Sequence, residues 1–279
     1  MRSLLYSYEI LLLLKEKLLS KNVDLSEAYE QLNNYRVNQK EKVNFRTSVN
    51  NLHPTFRRQL ASDFPTTTHA IDLPIYIANQ QSNSRIMIVA MDSLPPVPES
   101  SHWKNNSIDL RNEIGFWAPF SLIEDWSSPK GSMKSNLSFF QPLLENYSLY
   151  ITDIYKLFYR KILASGYQAS NRISTYTNFE NLVHFEILLK EIEIVQPKAI
   201  LVLGKSALNS MTSILTEVPS FGFPQYYVGE DKIPLLALPH ISGAANGAKA
   251  TFVNDEKFTF IESKTWNEKL ARIALHQLT

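Results

Sequence analysis

The stretch NFENLVHFEILLKEIEIVQPKAILVLGKSALNSMTSILTE, residues 178–217, holds a helix, a strand and the opening of a second helix in one line. Residues 178–196 carry helical periodicity, and Pro197 ends that helix because it lacks a backbone N–H and restricts the residue before it. The run AILVL (199–203) is continuously apolar, as a strand covered on both faces must be. Gly204 breaks it, and KSALNSMTSILTE opens the next helix. Apolar runs of the same kind recur at Leu73–Ala78, Ile86–Met91, Leu149–Thr152 and Leu235–Leu238. Strands alternating with helices argue for an α/β fold, a three-layer α/β/α sandwich around a central, mainly parallel sheet. In such sheets ligands bind beyond the carboxyl ends of the strands.

Upstream, the pattern differs. Residues 1–34 are rich in helix formers, with apolar Leu4, Leu5, Leu11, Leu12, Leu18 and Leu19 and a capping candidate in Asp24, and read as a helical hairpin. Residues 36–58 turn polar and basic and read as a connecting arm, either a solvated linker or a phosphate-contacting segment. The expected division is an N-terminal helical extension and arm over 1–64 and an α/β domain over 65–279. Composition bounds the rest. With 279 residues, 44% hydrophobic and 20% charged, the chain has enough apolar content for one large core and is too polar for a membrane protein. It has no cysteine, which excludes disulfides and thiolate metal sites and fits a reducing, cytoplasmic setting. A net charge of +1 leaves any phosphate binding to a local basic surface.

Three strand ends carry polar residues that a parallel sheet would bring to one edge: Asp92 after IMIVAM, Asp153 after LYIT, and His240 after PLLALP. Each alone has a plain structural explanation, an Asp as a turn or helix cap and a His as a satisfied structural residue. Their common placement makes them a constellation. Pro95, Pro96 and Pro98 follow Asp92 and enforce a loop, rigid by the fixed φ of proline.

The succession VAMDS, YITDIYK, PKAILVLGKSAL and LPHISGAAN resembles the uracil-DNA glycosylase superfamily from Ile86 to Asn246, in the order and spacing of its motifs. The resemblance implies a uracil-DNA glycosylase-like fold and a monofunctional DNA glycosylase, with no metal or other cofactor. Such an enzyme flips a pyrimidine nucleotide out of DNA and hydrolyses its N-glycosidic bond. It implies that Asp92 is the acid that steadies the cationic sugar and orients water, and that His240 stabilises charge on the departing base. Ser242 then grips a phosphate, and GAAN, with Gly243 and Asn246, takes the place of the loop that enters the duplex. Ile241, Ala90, Met91 and Ser93 depart from the family pattern, and the methyl-excluding tyrosine is missing.

Asp153 stands where the family carries Asn. An ionised aspartate only accepts hydrogen bonds, which suits the N4 amino group of cytosine better than the O4 of uracil. The expected base is therefore cytosine-type, with a roomy C5 edge that suits modified cytosine of phage DNA and hence a defence role. Uracil excision in base-excision repair, a catalytically silent nucleic-acid-binding module of the same fold and a small-molecule α/β enzyme are the alternatives. IGFWAPF (114–120) offers Phe116, Trp117 and Phe120 as rings for the flipped base, or as a core corner. SSPKGSMKSN (127–136), with Lys134, reads as a loop beside the phosphodiester backbone, and Lys156 adds positive charge one turn beyond Asp153. The partner expected is DNA, with no membrane.

Overall fold

A computed structural model describes residues 7–34, 46–54, 56, 67–91, 113–117, 119–121, 129, 131–163, 166–168, 178–211, 226–228 and 233–278. Seven α-helices are described: α1 (Tyr8–Leu18), α2 (Ser26–Asn34), α3 (Gly131–Leu144), α4 (Asn178–Val195), α5 (Lys205–Ser210), α6 (Asn246–Val253) and α7 (Trp266–Leu278). The strands are β1 (Arg46–Ser48), β2 (Thr67–Asp72), β3 (Ile75–Ile77), β4 (Arg85–Ala90), β5 (Glu113–Trp117), β6 (Ser148–Asp153), β7 (Leu157–Leu163), β8 (Gly166–Gln168), β9 (Ala199–Leu203), β10 (Tyr226–Val228) and β11 (Ile233–Leu238).

These strands form two mixed sheets, where the sequence suggests one. The six-stranded sheet runs β10-β11-β9-β4-β6-β3. Its four inner strands are parallel, and β10 and β3 are antiparallel edges. All five apolar runs of the sequence lie here. β6 and β9 are buried at every residue, and β4 at all but Arg85, because helices pack over both faces. The second sheet, β1-β5-β2-β7-β8, pairs in parallel only between β2 and β5. Its strands are polar enough (RTS, TTHAID, LFYRKIL) that no apolar run announces them.

The connections set the site. From β4 the chain crosses through α3 to β6 on one side; from β6 it returns through α4 to β9 on the other side of β4. Right-handed crossovers of opposite direction place α3 and α4 on opposite faces. Strand order thus reverses between β4 and β9, and the crevice at that reversal is where such sheets bind ligands.

Helix α4 buries His184, Ile187, Leu188, Glu191, Ile192 and Val195, a stripe at i, i+3, i+4 and i+7 spacing. Helix α1 packs against α4 and buries Ile10, Leu11, Leu14 and Leu18 in the same continuous core, each worth about 2 kcal/mol of transfer free energy. Lys17 of α1 reaches Glu186 of α4 at 3.1 Å. Both expected helices are present, joined by residues 19–25; Leu12 is exposed, and Leu4 and Leu5 lie outside the described residues. The arm expected over 36–58 is a linker at most in part. Residues 46–48 are β1, hydrogen-bonded to β5, and Leu52 and Phe56 are buried. Residues 36–45 lie outside the described part. Among the described residues no helix is long and apolar enough to cross a membrane.

Candidate active site

Register aligns the strand ends. Leu238 pairs with Leu203, Val202 with Val89, and Ala90 with Asp153, so β11, β9, β4 and β6 end nearly level. Neighbouring strands lie about 4.8 Å apart, which sets the ends of β4 and β11 roughly 10 Å apart across β9. The residues that leave these ends are Met91, Asp153, Gly204 and His240. Beyond Met91, Asp92 and the proline loop lie outside the described residues.

Asp153 closes β6 with 1% of its surface exposed. Its neighbours Ile154 and Tyr155 donate backbone N–H groups to the carbonyls of Ala90 and Met91, at 2.9 and 3.1 Å. This clips the residues after β6 to the end of β4. The Asp153 N–H itself donates to Oδ2 of Asp72 at 3.3 Å, and Asp72 is fully buried at the end of β2. A second acid, unmarked in the sequence by any motif, therefore accompanies Asp153.

His240 is half-buried. Its Nδ1 accepts the Ser242 N–H at 3.1 Å, so in the neutral ring the proton belongs on Nε2. Burial holds the imidazole below the ordinary histidine range, and the charge of Lys249 adds to that. Gly204 packs against it. At φ +98° Gly204 occupies a conformation that L side chains avoid, and a Cβ there would stand 3.2 Å from the His240 Cβ. This glycine serves the turn and the close approach, as its place before a helix suggests.

The ring beside His240 is Phe120, 5.7 Å between centroids and tilted by 31°. Phe120 has a positive φ of 55°, its carbonyl accepts from Nδ2 of Asn136 at 3.4 Å, and its ring meets Phe140 edge-on at 5.5 Å. IGFWAPF therefore delivers its last aromatic to the strand-end histidine. Phe116, expected at the base, is corrected: it is 4% exposed in the core, because β5 continues through it as a sheet strand. The side chain of Trp117 lies outside the described part.

Lys156 is a second correction. Its ammonium is sealed inside, 2.8 Å from the buried carboxylate of Glu191, and has no surface from which to meet a phosphate. Thr152 donates to Glu191 at 3.2 Å and also contacts the Lys156 ammonium. Burial pushes the Glu191 carboxyl up, against the pull of Lys156. The Lys156 N–H donates to Nδ1 of His184 at 3.2 Å, and burial drives His184 down to about 3, with Lys156 reinforcing it.

The other expected contacts are distributed as follows. Ser242 is half-buried, and Gly243 lies exposed in the one-turn helix Gly243–Ala245. Asn246 opens α6 and is exposed. Lys134 is exposed, although on α3: residues 131–136, expected as loop, are its first turns. Sequence reasoning passed over Glu191, His184, Lys249 and Asn267. Glu191 and His184 had a signal, as polar residues in the apolar stripe of α4, and Asn267 had the same one beside Leu270, Ala271 and Ala274 of α7. Compared with protein-family models and with curated proteins, the sequence has no match.

Proposed function

We propose that the protein is a DNA glycosylase of uracil-DNA glycosylase-like fold that hydrolyses the N-glycosidic bond of a flipped, cytosine-type pyrimidine. One observation carries the reading: the strand ends that bear the acid, the base-reading carboxylate and the imidazole lie level on one edge, around the point where strand order reverses. An imidazole whose Nδ1 is occupied by Ser242 offers Nε2–H, a neutral donor for the carbonyl oxygen of a leaving pyrimidine. Asp153 is the acceptor assigned to an exocyclic amino group; it is buried beside Asp72 at the end of β6, so base reading there requires the strand ends to open around an extruded pyrimidine. Asp92 leaves the neighbouring strand and is the group assigned to the sugar cation and to water. Phe120, beside His240, is the ring best placed for the base, with Lys134, Ser242, Gly243 and Asn246 as candidates for the DNA strand. A modified cytosine in phage DNA is the substrate that spares the host genome, which makes the activity defensive.

The test uses single- and double-stranded oligonucleotides that carry uracil, cytosine, 5-hydroxymethylcytosine or its glucosylated form. Alkali-labile abasic sites and the free base, identified by mass, are the readouts. Release of a cytosine-type base is expected, reduced by about 100-fold or more in Asp92→Asn, since electrostatic groups at developing charge contribute on that scale. Ready release of uracil with modified cytosine left intact refutes the base assignment. Undiminished activity in Asp92→Asn refutes the role of the acid.

A further inference from the structure

The chain turns at His240-Ile241-Ser242, and the middle carbonyl of that turn is held from two helices at once. Nζ of Lys249 in α6 donates to the Ile241 carbonyl at 3.1 Å, and Nδ2 of Asn267 in α7 donates to it at 3.0 Å. The two side chains are bonded to each other, Lys249 Nζ to Asn267 Oδ1 at 2.9 Å. Asn267 also donates to the carbonyl and hydroxyl of Ser135 in α3, at 2.9 and 3.0 Å. Two helices thus hold one backbone oxygen between the histidine and the residue that bonds its ring, and a third, α3, holds Asn267. Lys249 is 3% exposed, and no carboxylate lies within ion-pair distance of it among the described residues. Neutral acceptors offset the cost of burying a cation only in part, so an ammonium whose partners among the described residues are neutral oxygens is poorly explained by stability alone.

We infer that Lys249 and Asn267 are positioning residues: a buried latch on the Ile241 carbonyl that aims the His240 imidazole and presents its Nε2–H to the site. The inference rests on the role proposed for His240. With the turn held, the Ser242 N–H stays on Nδ1 and selects the tautomer. The groups that face His240 among the described residues are the Phe120 ring, the Gly204 backbone, the Ser242 N–H and, through the turn, Lys249. Lys205, next to Gly204, is exposed. The positive charge of Lys249 disfavours the imidazolium and burial works in the same sense, so removing the ammonium raises the protonation midpoint.

Imidazole nitrogen NMR on the intact protein tests this, with His240 signals assigned by their loss in His240→Gln. In the wild type the expected form is Nε2-protonated, titrating below the ordinary histidine range. In Lys249→Met the midpoint is expected to rise, with both tautomers present, and Lys249→Arg keeps the original pattern. Asn267→Asp places a carboxylate against the ammonium and predicts the same rise, which keeps the question open to a result if Lys249→Met fails to fold. A folded Lys249→Met or Asn267→Asp protein with unchanged His240 tautomer and midpoint overturns the latch. Base release measured beside it separates the two ideas. If no base leaves any DNA, the glycosylase reading fails while the spectra still judge the latch; if base leaves and the spectra do not move, the latch alone is lost.

Discussion

Two histidines in this protein accept a backbone N–H at Nδ1, and each lies under the influence of a buried lysine; the two places differ in what that lysine meets. Beneath α4, Lys156 finds Glu191, and the carboxylate also takes the hydroxyl of Thr152. Charge is cancelled where it arises, and His184 is sealed with it. At the strand edge, among the described residues Lys249 finds only the neutral oxygens of Ile241 and Asn267, and His240 stays half-open beside Phe120. An internally neutralised pair holds a face of the sheet together. An ammonium whose described partners are all neutral leaves its field on the neighbouring imidazole. The same residue types therefore act as structure in one place and as a candidate site in the other.

The sharpest break of this comparison is Lys156→Met, which leaves the Glu191 carboxylate buried without its cation. A loss of about 3–5 kcal/mol is expected in denaturant unfolding, against roughly 1–2 kcal/mol for Lys249→Met, where no carboxylate among the described residues is stranded. Equal losses would erase the distinction. Acid sensitivity comes next. His184 titrates near 3 when folded and near 6.5 when unfolded, so the unfolded chain binds the extra proton first as pH falls. Stability from this group is complete above pH 6.5 and declines toward pH 3, by about 2 kcal/mol at pH 5, relative to a His184→Asn protein that keeps an acceptor but does not titrate. Unfolding free energies with the same pH slope in both proteins would show that His184 is not sealed. The smallest effect is Gly204→Ala, expected to cost about 1 kcal/mol from its left-handed backbone. Its added Cβ meets His240 at 3.2 Å. The His240 NMR signals should move and those of His184 should stay; movement of both would mean that the two regions are not independent.

Legibility in the sequence followed periodicity. The apolar runs at 86–91, 149–152, 199–203 and 235–238 became β4, β6, β9 and β11, and the helical stretch ended at Pro197 became α4, since burial on both faces leaves little room for other residue types. The second sheet was not legible: THAID and RTS have no apolar run, and their pairing joins residues far apart in the chain. Within the site, Asp153 and His240 could be marked as strand-end residues, but Phe116 and Phe120 could not be ranked. Four positions separate them; one lies in a strand and the other itself takes a positive φ of 55°. Lys156 read as a surface charge because nothing local tells a lysine facing solvent from one facing Glu191, 35 residues later.

By itself, the sequence determined an alternating α/β chain with polar residues at the ends of its inner strands, because periodicity and helix breakers act over a few residues. Only the tertiary structure decided that Lys156 is sealed, that Phe120 rather than Phe116 meets His240, and that Lys249 and Asn267 close on Ile241. Those outcomes depend on which distant groups meet in a low-dielectric interior, where a charge or a donor is stable only if the partner brought to it by the fold is the right one.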